Sequence, residues 1–127
     1  MRLDQETDLG TVLVVDDEAL IRMNSADMLE DAGYRVIEAD GADEALTILE
    51  GPLVIHLLFS DVDMPGSMDG VALAALVHER WPDIRLLLTS GHHQLRDADV
   101  PDAGRFVSKP YSCATMIDTI RALLPHG

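Results

Sequence analysis

At 127 residues the chain is long enough for one domain with a sizeable core and too short for two. Hydrophobic residues make up 47% of it, which excludes a disordered chain, and 9 basic against 23 acidic residues (net charge −14) leave no electrostatic footprint for nucleic acid or an anionic membrane surface. The longest apolar runs fall far short of the ~20 residues of a membrane-spanning helix, Met1–Gly10 lacks a signal-peptide core, and the expectation is a cytoplasmic protein.

The pattern alternates along the chain. Thr11–Val15 reads as a strand, and Ala19–Ala32 as a helix with Leu20, Ile21, Met28 and Leu29 on its apolar side, stopped by Gly33. Arg35–Ala39 is a second strand, followed by a helix over Ala42–Glu50 that Gly51-Pro52 closes. Val54–Ser60 is the third strand. Asp69–Arg80 is helical, with Val71, Leu73, Leu76 and Val77 spaced for burial, and Ile84–Thr89 is the fourth strand. The rhythm then calls for a helix over Gln94–Ala103, but Pro101 and the acids Asp97, Asp99 and Asp102 weaken it. Arg105–Ser108 is a short fifth strand, and Cys113–Leu124 a closing helix before Pro125. The lone Cys113 excludes an internal disulfide and reads as a structural thiol. The organisation expected is an extension over 1–10, one domain over 11–124 and a tail over 125–127.

Strands alternating with helices imply a parallel sheet covered on both faces, with ligands held beyond the carboxyl ends of its strands. Asp16, Asp17, Asp61, Ser90 and Lys109 all fall at or just past such ends. Carboxylates gathered there repel one another unless a cation lies between them, and a hard oxygen-seeking ion such as Mg²⁺ suits them. A nearby hydroxyl and a lysine are what such a site needs to hold a phosphoryl group.

Val14-Val15-Asp16-Asp17-Glu18, Asp61-Val62-Asp63-Met64-Pro65, Met68-Asp69-Gly70, Thr89-Ser90-Gly91 and Phe106-Val107-Ser108-Lys109-Pro110 occur in order and properly spaced. Over about Thr11–Leu124 the chain resembles the receiver domain of two-component response regulators. The resemblance implies a flavodoxin-like doubly wound sheet of order 2-1-3-4-5. It implies that Asp61 accepts a phosphoryl group from a histidine kinase or phosphotransfer protein, forming an acyl phosphate. Asp17 and Asp61 would ligate Mg²⁺ directly, Asp16 through water, and Asp63 through its backbone carbonyl. Lys109 would pair with one phosphoryl oxygen and Ser90 would donate to another. Ser90, standing directly before Gly91, fits the switch hydroxyl better than Thr89, because Gly66-Ser67 occupies the place of one residue in many receivers.

Phe106 matches the aromatic partner of that hydroxyl, so the surface expected to change runs from the fourth helical segment through the fifth strand to the closing helix, Gln94–Leu124. A phosphorylation-dependent dimer could form there. The resemblance also implies a cis Lys109–Pro110 bond, and it makes Asp63 and His92 tuning positions for acyl-phosphate lifetime. His56, entering the third strand, stands where related sequences often carry an acid.

Alone, Asp16-Asp17 would read as a helix N-terminal pair, Lys109 as a surface lysine, Phe106 as core and Ser90-Gly91 as a turn. Asp61-Val62-Asp63 is also similar to the Asp-x-Asp of haloacid-dehalogenase-type phosphatases, which carry it on a first strand in a larger domain. An EF-hand reading fails, because position twelve would be Ala72. His92-His93 and His78-Glu79 complete no metal set and read as solvated. The expectation is therefore a stand-alone receiver with no catalytic activity beyond self-phosphorylation and autodephosphorylation, acting on a downstream protein and not on nucleic acid or membrane. The alternative in the same fold is a receiver segment of a longer regulator or hybrid kinase.

Overall fold

The computed structural model describes residues 9–66, 68–101 and 104–124. The expected extension up to Asp8, the inserted Ser67, Asp102-Ala103 and the tail 125–127 lie outside them. The described residues form strands β1 (Thr11–Val15), β2 (Arg35–Ala39), β3 (Leu57–Asp61), β4 (Arg85–Ser90) and β5 (Arg105–Ser108). The helices are α1 (Ala19–Asp31), α2 (Ala42–Glu50), α3 (Gly70–Arg80) and α4 (Cys113–Leu123). All strands pair in parallel in the order β2-β1-β3-β4-β5, the order the resemblance implies.

Each central strand is apolar on both sides because helices cover both faces. Val12, Val14, Leu57, Phe59 and Leu87 face one core with Leu29 of α1 and Met116, Ile117 and Ile120 of α4. Their neighbours Leu13, Val15, Leu58, Leu86 and Leu88 face the other, with Ala45 and Leu49 of α2 and Leu73, Ala74 and Val77 of α3. Successive strand side chains point to opposite faces, so one continuous apolar run feeds both layers.

The structure departs from the sequence reading in four places. No α-helix covers 94–101; a single 3₁₀ turn, Asp97–Asp99, stands there. The short acids explain it, since Asp99 accepts the Arg96 N–H at 2.8 Å and Asp97 accepts the Phe106 N–H at 3.0 Å, local bonds that compete with a helical ladder. Leu20, assigned to the apolar side of α1, is 81% exposed, and Ser25, Ala26 and Leu29 carry the buried stripe. The third strand begins at Leu57, leaving Leu53 and Val54 exposed ahead of it. Cys113, read as a structural thiol, is a free and exposed one opening α4.

Glycine is required where α3 meets the end of β3. Asp69 caps the helix by accepting the Ala72 N–H at 2.9 Å, and Gly70 donates its N–H to the Val62 carbonyl at 3.1 Å. A Cβ on Gly70 would lie 2.2 Å from the Asp61 carbonyl oxygen. Gly66, at φ +105°, has open space around it. Gly70→Ala is therefore expected to cost about 3 kcal/mol through displaced backbone, and Gly66→Ala only about 1 kcal/mol through its left-handed backbone. Urea unfolding of both variants measures the difference, and equal losses would contradict it.

Candidate functional site

Register alone brings the chemistry together. Val15 pairs with Ser60, Asp61 with Thr89, and Ser90 with Ser108. The next residues along β1 and β5 are Asp16 and Lys109, so Asp16 lies level with Asp61, Ser90 one step and Lys109 two steps further along, and the four gather at the carboxyl ends. Asp16, Asp61 and Ser90 are buried. Asp17, Glu18, Asp61, Asp63, Gly91, His92 and Lys109 line a cavity of about 340 Å³ at this end.

The Lys109 ammonium lies between the two buried carboxylates, 3.3 Å from Asp16 Oδ2 and 3.2 Å from Asp61 Oδ2. Its backbone N–H donates to the Ser90 carbonyl at 2.9 Å, and the Lys109–Pro110 bond is cis. Burial pushes the lysine down, but Asp16 and Asp61 outweigh it and hold the ammonium above its ordinary range. Burial pushes the Asp61 carboxyl above its ordinary 3.8, and the Asp63 N–H and Lys109 only partly offset this.

Among the described residues Asp16, Glu18 and Asp61 form a carboxylate group whose oxygens lie within 4.8 Å of one another. Glu18, absent from the sequence-derived ligand set, belongs to this group. Asp17 is exposed and lines the cavity without joining the trio. Turn geometry accounts for Glu18: its N–H donates to Asp16 Oδ1 at 2.9 Å, folding the loop so that its side chain comes within 3.9 Å of Lys109. Hard carboxylate oxygens at this spacing fit a small divalent cation.

Arg22 also escaped the sequence reading. It donates to the Asp16 carbonyl at 2.8 Å and to Glu38 at 3.0 Å, fixing the loop that carries the acids. Its position one helical turn past Glu18 was the available signal.

The hydroxyl side divides Thr89 from Ser90 clearly. Thr89 is buried with its Oγ1 unpartnered among the described residues, whereas Ser90 Oγ is bonded to Asp63, a residue of the cavity wall. Ser90 Oγ donates to Asp63 Oδ2 at 2.5 Å and accepts the N–H groups of His92 at 3.0 Å and His93 at 2.8 Å. His92 lines the cavity. His93, read as solvated, is exposed and also reaches Asp63 Oδ1 through Nδ1 at 2.6 Å. His78, also read as solvated, has a buried, unpartnered Nδ1. His56 accepts the Thr11 N–H at 2.9 Å, a structural stitch between β1 and the start of β3. Phe106 is half-buried on β5 and packs against the core beneath α2 and α3. Among the described residues no helix is long and apolar enough to cross a membrane.

The family model for the response regulator receiver domain matches residues 12–121. The chain is 33% identical to the sensor kinase CckA of Brucella abortus over 97% of its own length and 14% of that kinase's. Other regulators it matches, such as HoxA of Cupriavidus necator, are likewise spanned over only 23% of their length. It is 31% identical to the response regulator receiver protein CpdR of Brucella abortus, over 89% of this chain and 95% of CpdR. The crystal structure of the response regulator TrrA from Thermotoga maritima, in complex with Mg²⁺-BeF, superposes with a TM-score of 0.79 at 26% identity, over 91% of this chain and 99% of that one.

The raised Asp61 pKa carries a stability signature. The folded state binds the proton more tightly than the unfolded one, so stability from this group falls as pH rises above 3.8. Asp61→Asn removes that loss. Its stability relative to the parent chain should rise through that window and plateau at neutral pH, with a gain of about 1 kcal/mol. Urea unfolding from pH 4 to 7 checks it, and a gain that shrinks with pH would refute it.

Proposed function

The chain belongs to the response regulator receiver domain family, and on that premise we propose that Asp61 is the residue that accepts the phosphoryl group. A carboxylate oxygen of Asp61 attacks the phosphorus of a phosphohistidine on a kinase or phosphotransfer protein. The O–P bond forms as the N–P bond breaks, the imidazole leaves, and an acyl phosphate results. The single observation that carries this reading is the position of Asp61: at the end of the central strand, side by side with Asp16 and within 3.2 Å of an ammonium.

Asp16, Glu18 and Asp61 would hold Mg²⁺, and Asp17 and the Asp63 carbonyl would be further oxygen donors, both residues lining the same cavity. When bound, the ion would offset charge on the transferring phosphoryl group. Lys109 already spans Asp16 and Asp61, so its flexible ammonium is placed to move onto a phosphoryl oxygen. Ser90 would donate to another, and Phe106, with no hydroxyl, would follow it inward by packing alone.

The phosphodonor must present its histidine at this cavity. A neighbouring groove of about 650 Å³ shares Lys109 and is walled by Leu20, Ile21, Met28, Pro110 and Tyr111. Leu20 and Met23 stand exposed on the same helix. That apolar wall suits a helical phosphodonor protein, and it gives exposed Leu20 a function. Output then passes to a downstream protein through the surface around β5 and α4, in the cytoplasm, with turnover confined to phosphorylation and loss of phosphate at Asp61.

Incubation with acetyl phosphate and Mg²⁺ should add one phosphoryl group by intact mass. The adduct should be lost in alkali and absent from Asp61→Asn and from chelator-treated protein. Lys109→Met should cut the phosphorylation rate by about a hundredfold or more, since it removes a preorganised charge from the transferring group. An adduct that persists in Asp61→Asn would place the acceptor elsewhere.

A further inference from the structure

We infer that Asp63 is a competing acceptor that holds the Ser90 hydroxyl away from the phosphorylation site, and that His93 is the residue positioning Asp63 for this. The inference rests on the phosphoacceptor reading above.

A serine hydroxyl has one hydrogen and two lone pairs. Here all three are committed: the hydrogen to Asp63 Oδ2 at 2.5 Å, the lone pairs to the His92 and His93 N–H groups at 3.0 and 2.8 Å. Ser90 is buried, with 1% of its surface exposed, so water offers the hydroxyl little alternative. Donation to a phosphoryl oxygen therefore requires the O–H to leave Asp63. The bond it must break is of the short, charge-assisted class.

Asp63 is in turn held in place. Its second oxygen meets His93 Nδ1 at 2.6 Å, and the two residues lie on different loops, after β3 and after β4. Burial pushes the Asp63 carboxyl up, but the hydrogen bonds from Ser90 and His93 outweigh it, leaving the group an anion and a strong acceptor. Both carboxylate oxygens are thus occupied by the segment Ser90–His93. Switching must unfasten this clasp, so the Ser90–Asp63 bond sets part of the free-energy gap between the resting and phosphorylated arrangements.

Calorimetric titration with beryllofluoride and Mg²⁺ tests this on the parent chain, Asp63→Ala, Asp63→Asn, His93→Ala, Ser90→Ala and the double variants. Asp63→Ala should bind about tenfold tighter, the size of one charged hydrogen bond released. Removing a negative charge contributes too, and that part survives without the hydroxyl. The clasp is the part of the gain that disappears in the Ser90→Ala background. Asp63→Asn keeps an acceptor oxygen and should gain less. His93→Ala should tighten binding about threefold, and should change nothing once Asp63 is alanine. Equal gains from Asp63→Ala with and without the Ser90 hydroxyl would overturn the clasp while leaving the phosphoacceptor reading intact. An unchanged affinity in His93→Ala would remove His93 from it. A parent chain that binds no beryllofluoride would overturn both readings together.

Discussion

The ammonium of Lys109 between Asp16 and Asp61 is the interaction on which the rest of this structure depends. Two carboxylates, 4% and 2% exposed at the ends of adjacent strands, repel each other and lack full hydration. Burying an ion costs several kcal/mol before compensation, and one lysine at 3.3 and 3.2 Å compensates two of them. That lysine can reach only because β5 ends at Ser108, level with Ser90 on β4, and because its own N–H is fixed to the Ser90 carbonyl. The order of the strands, the shortness of β5 and the two apolar layers all act to deliver one cation to one point.

Such a site opposes stability locally. The compensation is incomplete at Asp61, whose burial outweighs its hydrogen bonds, and the backbone around it has no slack: α3 sits so close that only glycine fits at position 70. A close-packed scaffold can hold this arrangement because the cost is confined to a few atoms while the cores beneath are built from fully buried leucine, valine and isoleucine. Proteins tolerate destabilised groups where chemistry needs them. Here the same carboxyl that weakens the fold is the proposed nucleophile.

The fold was legible because period and punctuation agreed. Thr11–Val15, Arg35–Ala39, Ala42–Glu50 and Arg105–Ser108 match the sequence reading residue for residue, each being an apolar run or amphipathic segment bounded by glycine, proline or acid. The gathering of Asp16, Asp61, Ser90 and Lys109 at the carboxyl ends was legible for a related reason, since parallel strands of similar length end close together. What escaped depends on where side chains turn after the strands end. Glu18 enters the carboxylate group through a one-residue turn onto Asp16, while exposed Asp17 lines the same cavity outside that group, and no periodicity distinguishes them. His93 looks like a solvated neighbour of His92 until the loop wraps both backbone N–H groups onto Ser90 and aims only one ring at Asp63. Leu20 fits a helical stripe by spacing, yet lies in the first turn of α1 and is exposed, the buried stripe falling on Ser25, Ala26 and Leu29.

These same side chains make the two flanks of the site mechanically unequal. On the β1 flank, Arg22 joins the Asp16 carbonyl to Glu38, and the Asp16 N–H donates to the Ala39 carbonyl at 3.2 Å, so loop, helix and edge strand are fastened to one another. On the opposite flank no α-helix covers 94–101. The exposed 3₁₀ turn is fastened to β5 by one Asp97 carboxylate accepting the Phe106 N–H, with Arg105 4.0 Å away. A bond of that kind is worth about 1 kcal/mol, and the bonded N–H belongs to the residue matched to the switch aromatic. Charge added at Asp61 meets a braced wall on one side and a lightly tied one on the other. On the proposed phosphorylation of Asp61, displacement would follow the weaker restraint, through Ser90 and Phe106 to the β5 edge, where a partner would sense the site.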